Sequence, residues 1–141
     1  FVRSLVEQGL VNAVHDVSEG GIACAAAEMA LASGVGVYFD QIAAQVSIAD
    51  LETAGTGQEA IWGEDSGRYL VAVSTEQTSE WPIMVGSSPL LEATTSIGRF
   101  QGDRIEIIRG AGDTHPIVNL PLARLREAHE GWLPNYMSSV E

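Results

Sequence analysis

His15-Asp16-Val17-Ser18-Glu19-Gly20-Gly21 stands between two stretches of different apolar period. Ahead of it, Leu10 to Val17 sets Ala13, Val14 and Val17 around polar positions, as a strand does. Behind it, Gly20 to Ser33 is Ala-rich, with Ile22, Ala26, Met29 and Ala30 on one helical face and Gly34 placed to stop the helix. A strand that passes into a helix through paired glycines points to a layered domain of sheet and helix. The small side chains of that helix let it lie close to a sheet.

Outward from this junction, Phe1 to Gly9 reads as a short helix with Phe1, Val2, Leu5 and Val6 on one face. Val35 to Asp40 reads as a short strand. Gln41 to Gly57 reads as a loop plus a short helix after Asp50, and Gln58 to Trp62 reads as a helical turn. Arg68 to Ser74 is apolar on both sides, which predicts a central strand. Ser79 is placed to cap a helix that carries Pro82 in its first turn. Thr94 to Phe100 and Arg104 to Ile108, joined by Gly102-Asp103, read as a β-hairpin. Leu120 to Met137 reads as helix, interrupted before Pro134. The sum is an α+β fold, a mixed β-sheet packed with helices. Residues 1–141 are expected to form one domain. With Phe1 first and a helical pattern running from it, the chain is expected to be a piece of a longer multidomain protein.

The 45% hydrophobic and 18% charged composition is that of an ordinary globular domain, able to bury a core without covalent staples. The single cysteine, Cys24, excludes an internal disulfide and a multi-cysteine metal site, and reads as a small core residue. The net charge of −12 argues against nucleic acid and anionic membranes as partners. Apolar runs are broken before membrane-spanning length, and no signal peptide opens the chain.

The glycine turn is also the best candidate site. Asp16, Ser18, Glu19, Gly20 and Gly21 are candidate ligand-binding residues: glycines permit close backbone approach, and a helix N-terminus aims N–H groups at an anion. Asp16 or Glu19 offers a carboxylate for a metal or a polar substrate. The same residues also have a purely structural reading, in which Ser18 caps the helix, Glu19 complements its dipole and the glycines only allow the turn. Trp62-Gly63-Glu64-Asp65-Ser66-Gly67-Arg68-Tyr69 is a second polar stretch. His15, Glu64 and Arg68 are candidate cleft-lining residues; the alternative is a surface turn with Arg68 paired to Glu64 or Asp65. In Arg124 to Met137, Trp132, Leu133 and Tyr136 read as a tie of the tail to the body or to a neighbouring domain. His129 and His115 carry little evidence of catalysis. Walker, zinc-type and nucleophile-elbow motifs are absent, so no catalytic or metal-ligating residue is assigned.

Three segments together resemble the PurL subunit family of phosphoribosylformylglycinamidine synthase: FVRSLVEQGLVNAVHDVSEGGIACAAAEMALASGVGV, GEDSGRYLVAV and LREAHEGWLPNYM. HDVSEGG alone points only to the wider superfamily with PurM-like C-terminal domains, shared with aminoimidazole ribonucleotide, selenophosphate and thiamine-phosphate kinase-type enzymes. AHEGWLP narrows the resemblance to PurL in its smaller, multi-subunit form. Trp62 departs from an expected Phe, and Thr75 to Ala93 lacks the regular Ala-rich helix of the family. The resemblance implies a PurM C-terminal-like fold and a cytoplasmic ligase of purine biosynthesis acting on formylglycinamide ribonucleotide with ATP and Mg²⁺. Implied partners are upstream PurL domains, the PurQ glutaminase and PurS. The main ATP, Mg²⁺ and catalytic-His motifs of the family belong to upstream domains, so this chain is expected to be inactive alone. Other readings are a different enzyme of the superfamily, or a non-catalytic interaction domain.

Overall fold

The computed structural model describes residues 1–40, 61–78, 81, 93–108 and 115–138. Helix α1 (Val2–Glu7) leads into strand β1 (Ala13–Asp16) and helix α2 (Gly21–Ser33). Strand β2 (Val37–Phe39) follows, then β3 (Tyr69–Ala72), a single helical turn α3 (Thr75–Thr78), β4 (Arg99–Phe100) and β5 (Arg104–Ile108). The C-terminal part is β6 (Pro116–Pro121), α4 (Leu122–Glu130) and α5 (Trp132–Ser138).

Two sheets result. β1 and β3 form an antiparallel ribbon in which His15 faces Leu70 and Asp16 faces Tyr69. The ribbon is extended at both ends, where Asn12 N–H donates to the Ala72 carbonyl and Val17 N–H to the Arg68 carbonyl. The second sheet has the order β4-β2-β5-β6, with β2 parallel to β5 and the other pairings antiparallel. This is the mixed α+β arrangement expected from the sequence.

The expected hairpin between Thr94 to Phe100 and Arg104 to Ile108 does not form, because β2 lies between the two strands. Gly36 explains the insertion. Its N–H donates to the Gly102 carbonyl and its carbonyl accepts from Gln101 N–H, both at 2.8 Å. A Cβ at Gly36 would collide with the carbonyls of Arg104 and Gln101. A residue without a side chain therefore lets β2 enter the space that a hairpin would close.

The core lies where α2 meets the larger sheet. Ala23, Ala26 and Ala30 of α2 pack with Val37, Phe39, Ile105 and Ile107, and with Ile61 and Leu122. Ala26 and Ala30 have no exposed surface, so the sheet comes against the helix with little side chain between them. Helix α2 also meets both strands of the ribbon and α4. Arg126 ties α4 to the last turn of α2 by donating to the Leu31 carbonyl at 2.6 Å. A cation there meets the negative end of the helix dipole.

Other expectations are corrected. The stretch Arg68 to Ser74 is not a central strand: among the described residues β3 pairs with β1 alone, and Tyr69 is exposed. Two-sided apolarity here serves the helix on one face and leaves the other half-buried. Ser74 starts the turn α3, its hydroxyl accepting from Gln77 N–H; the expected cap at Ser79 and the helix with Pro82 lie outside the described residues. Gln41 to Gly57 also lies outside them, whereas Ile61 and Trp62 are helical as expected. Leu120 belongs to β6, which the sequence reading missed, and the helical break falls at Gly131 rather than before Pro134. Pro134 sits in the first turn of α5, where a missing N–H leaves no intrahelical bond unmade.

Gly36→Ala should lower stability by about 3 kcal/mol, because backbone atoms rather than flexible side chains must give way. Gly102→Ala, at φ +65° with open space around it, should cost about 1 kcal/mol. Urea denaturation of both variants checks the ranking; equal losses would remove the close-approach explanation.

Candidate functional site

The junction between β1 and α2 is shaped from both sides. Val17 is buried and bonded to the β3 side of the ribbon, so the chain must reverse within Ser18–Gly20 before α2 begins. Gly20 and Gly21 have φ of 76° and 66°, which L side chains rarely adopt. A Cβ on Gly21 would lie 2.6 Å from the Ile61 carbonyl oxygen and 2.8 Å from Trp62 Cα. The first turn of α2 therefore rests directly on the backbone of the second polar stretch.

That contact brings Glu64 to the helix N-terminus. Gly20 N–H donates to Glu64 Oε1 at 2.8 Å across 44 residues of sequence. Gly21 N–H donates to the Ser18 carbonyl at 3.1 Å. Ser18 makes no side-chain capping bond, contrary to the capping expectation; the residue at the cap is Gly20, and the carboxylate comes from Glu64. An anion expected to meet the N–H of Gly20 would find it occupied by this carboxylate. Arg68 follows the surface-turn reading, donating to the Gly63 carbonyl at 3.3 Å and to Asp65 Oδ2 at 3.4 Å.

Asp16 ends β1 with its side chain 72% exposed. Among the described residues the contact to its carboxylate comes from His15, whose Nδ1 lies 3.8 Å from Oδ1. Ser18 and Glu19 are exposed beside it. His15 turns the other way: Nε2 lies 2.8 Å from Glu28 Oε2 on α2, and Nδ1 donates to the Asp16 carbonyl at 2.6 Å. The bond to the Asp16 carbonyl, ahead of the Glu28 carboxylate, raises the His15 pKa above its usual 6.5, against an opposing effect of burial.

The site thus joins Asp16, Ser18, Glu19, Gly20, Gly21 and Glu64, with Arg68 alongside and His15 beneath. Glu28 was missed by sequence reasoning. Its signal was a lone carboxylate inside an otherwise small and apolar helix. Trp62 and Tyr69, both about half exposed, also border this region. Cys24 is free and half-buried, with its Cβ 2.9 Å from the position a Gly20 Cβ would take. Trp132 stacks on Tyr136 at 5.5 Å within α5, and both are exposed. Among the described residues no three His, Cys, Asp or Glu side chains converge as a metal would require. No described helix is long and apolar enough to cross a membrane.

If Glu64 rather than Ser18 caps α2, Glu64→Ala should lose about 1 kcal/mol of stability. Glu64→Gln, which keeps an acceptor oxygen, and Ser18→Ala should each stay close to the parent. Thermal or urea unfolding of the three variants decides between the two caps.

Residues 1–109 match the family described as AIR synthase related protein, C-terminal domain. The PurL subunit of phosphoribosylformylglycinamidine synthase from Rhizobium meliloti is 40% identical over 137 residues, 97% of this chain and 16% of that protein. The PurL subunit from Mesorhizobium japonicum is 40% identical over 142 residues, 99% of this chain and 17% of its own length. The chain thus spans about one sixth of the curated relatives it matches. Among solved structures, T. maritima PurL complexed with ATP superposes with a TM-score of 0.61 at 17% identity, over 86% of this chain and 20% of that one. The PurLQS structure from Thermotoga maritima gives 0.59 at 16% identity, over 84% of this chain and 19% of that one. The family match spans residues 1–109, well over half of the chain, and the chain belongs to the AIR synthase related protein C-terminal domain family.

Proposed function

We propose that this chain is the C-terminal domain of the large subunit of a cytoplasmic, ATP-dependent phosphoribosylformylglycinamidine synthase. The observation that carries the reading is the 40% identity to a PurL subunit across 97% of the chain. It extends past residue 109, where the broader family match ends, into α4 and α5.

In this reading the substrate is formylglycinamide ribonucleotide. Its amide oxygen attacks the γ-phosphorus of ATP and ADP leaves. Ammonia then adds to the activated carbon, and the C–O bond breaks with departure of phosphate, giving the amidine. Phosphorylation turns a poor leaving group into a good one, so the remaining demand is positioning and charge stabilisation. PurQ releases the ammonia from glutamine, and PurS joins the subunits. Mg²⁺, when bound, would neutralise the phosphates of ATP; the described residues do not assemble a site for it.

The contribution of this domain is one wall of an interdomain cleft. Asp16 is exposed at the end of a strand and accepts a hydroxyl of the ribonucleotide. Ser18 and Glu19 flank it, on a turn whose shape Gly20 and Gly21 allow. Glu64 and Arg68 hold the neighbouring rim. Because Glu64 already accepts from Gly20 N–H, a phosphate is not seated at that group.

Asp16→Asn in the intact synthase should lower kcat/KM for the ribonucleotide roughly tenfold, the scale of one hydrogen bond to a charged group. Its melting temperature should stay within error of the parent, since the carboxylate is exposed. Unchanged kinetics in the folded variant would remove the turn from the site. The 141-residue chain alone should form no amidine from ammonia and ATP; product formation would overturn the division of labour.

A further inference from the structure

His15 has a chemical peculiarity that the proposed reaction does not use. Its ring faces two acceptors that carry no proton to offer: the Asp16 carbonyl at Nδ1 and the Glu28 carboxylate at Nε2. Both ring nitrogens must therefore carry hydrogen for both contacts to be hydrogen bonds, and only the imidazolium does so. The neutral ring has a single N–H and can keep only one of the two partners.

The two partners belong to different elements. Asp16 is the last residue of β1, and Glu28 lies two turns into α2. Between them runs the Val17–Gly20 turn. We propose that His15 is a proton-operated clasp, whose doubly protonated ring joins the end of β1 to the body of α2 and thereby fixes the turn that carries Asp16, Gly20 and the Glu64 bond. His15 is a positioning residue in this role, acting through the backbone of its neighbour. The inference goes beyond the enzymatic reading and does not depend on it.

Among the described residues the charged groups facing the ring are Asp16 and Glu28. The ribbon partner across from it, Leu70, has no charge. Both facing groups are acidic, so the surroundings favour the imidazolium, and the raised pKa agrees with the geometry. His15 releases its proton at higher pH in the folded chain than in the unfolded one. The stabilisation is therefore complete below about 6.5 and is lost as pH rises through the folded value.

The test is an NMR titration of the 141-residue chain between about pH 5 and 9, following the His15 ring and the amides of Gly20 and Gly21. The chain has three histidines, so the ring signals separate readily. His15 should titrate above 6.5, and the glycine amides should move with the same midpoint. Glu28→Gln keeps an acceptor but removes the charge, and should shift both midpoints down together. Glycine amides that stay flat while His15 titrates would overturn the clasp, even if the raised pKa were found. So would a His15 midpoint at or below 6.5 in the parent chain. Glu28 is more than half exposed, so its variant is expected to fold, and the parent titration is decisive without it. Loss of synthase activity on Asp16→Asn would bear on the reaction alone.

Discussion

The structure depends on the close approach of α2 to what surrounds it. Ala26 and Ala30 are fully buried against the larger sheet, while the first turn of the same helix lies on the Ile61–Trp62 backbone. Small side chains make both contacts possible. Dispersion forces grow with the number of atoms brought into range, and a helix faced with alanine and glycine gains them from backbone as well as side chains. The same closeness leaves no room for growth: one added methylene in such a contact typically costs about 1–3 kcal/mol. Phe39, almost fully buried, supplies the bulk that the alanines lack, and its truncation would cost about 3–5 kcal/mol.

Once α2 is seated, the candidate site has little freedom. The helix begins where Gly21 can touch the second polar stretch, and the ribbon ends where Val17 bonds across to Arg68. The turn spans what remains. Glu64 then lies within reach of Gly20 N–H and caps the helix from outside its own sequence neighbourhood. The glycines and Glu64 hold the fold, while Asp16, Ser18 and Glu19 stay exposed.

The T. maritima PurL structures share this fold at 16–18% identity. At such distance the likeness concerns the fold alone. Here the surfaces include half-exposed aromatic residues, Trp62 and Tyr69, around the candidate turn, and the Trp132–Tyr136 stack on α5. The segment after residue 109 lies outside the broader family match, yet the alignment with PurL subunits runs through it. In the structure that segment adds β6 to the sheet edge and lays α4 on α2.

Local chemistry determined a good deal by itself. The period change around Gly20-Gly21 was enough to place β1, α2 and the stop at Gly34, whose φ of 73° is the left-handed stop expected of glycine. The strand readings of Val35 to Asp40 and Arg104 to Ile108 placed two strands of the larger sheet. The grouping of Asp16, Ser18 and Glu19 at one exposed turn was legible for the same reason: neighbours in a tight turn stay neighbours in space. Tertiary structure decided what depends on residues far apart in sequence. β2 enters between β4 and β5 because Gly36 leaves room there, a fact visible only when Gln101 and Arg104 are beside it. The cap of α2 is Glu64 and not Ser18 because packing delivers a carboxylate from 44 residues away. His15 meets Glu28 because packing sets β1 alongside α2. In each case the deciding partner is set by close packing, which acts through space and leaves no mark on the spacing of residues along the chain.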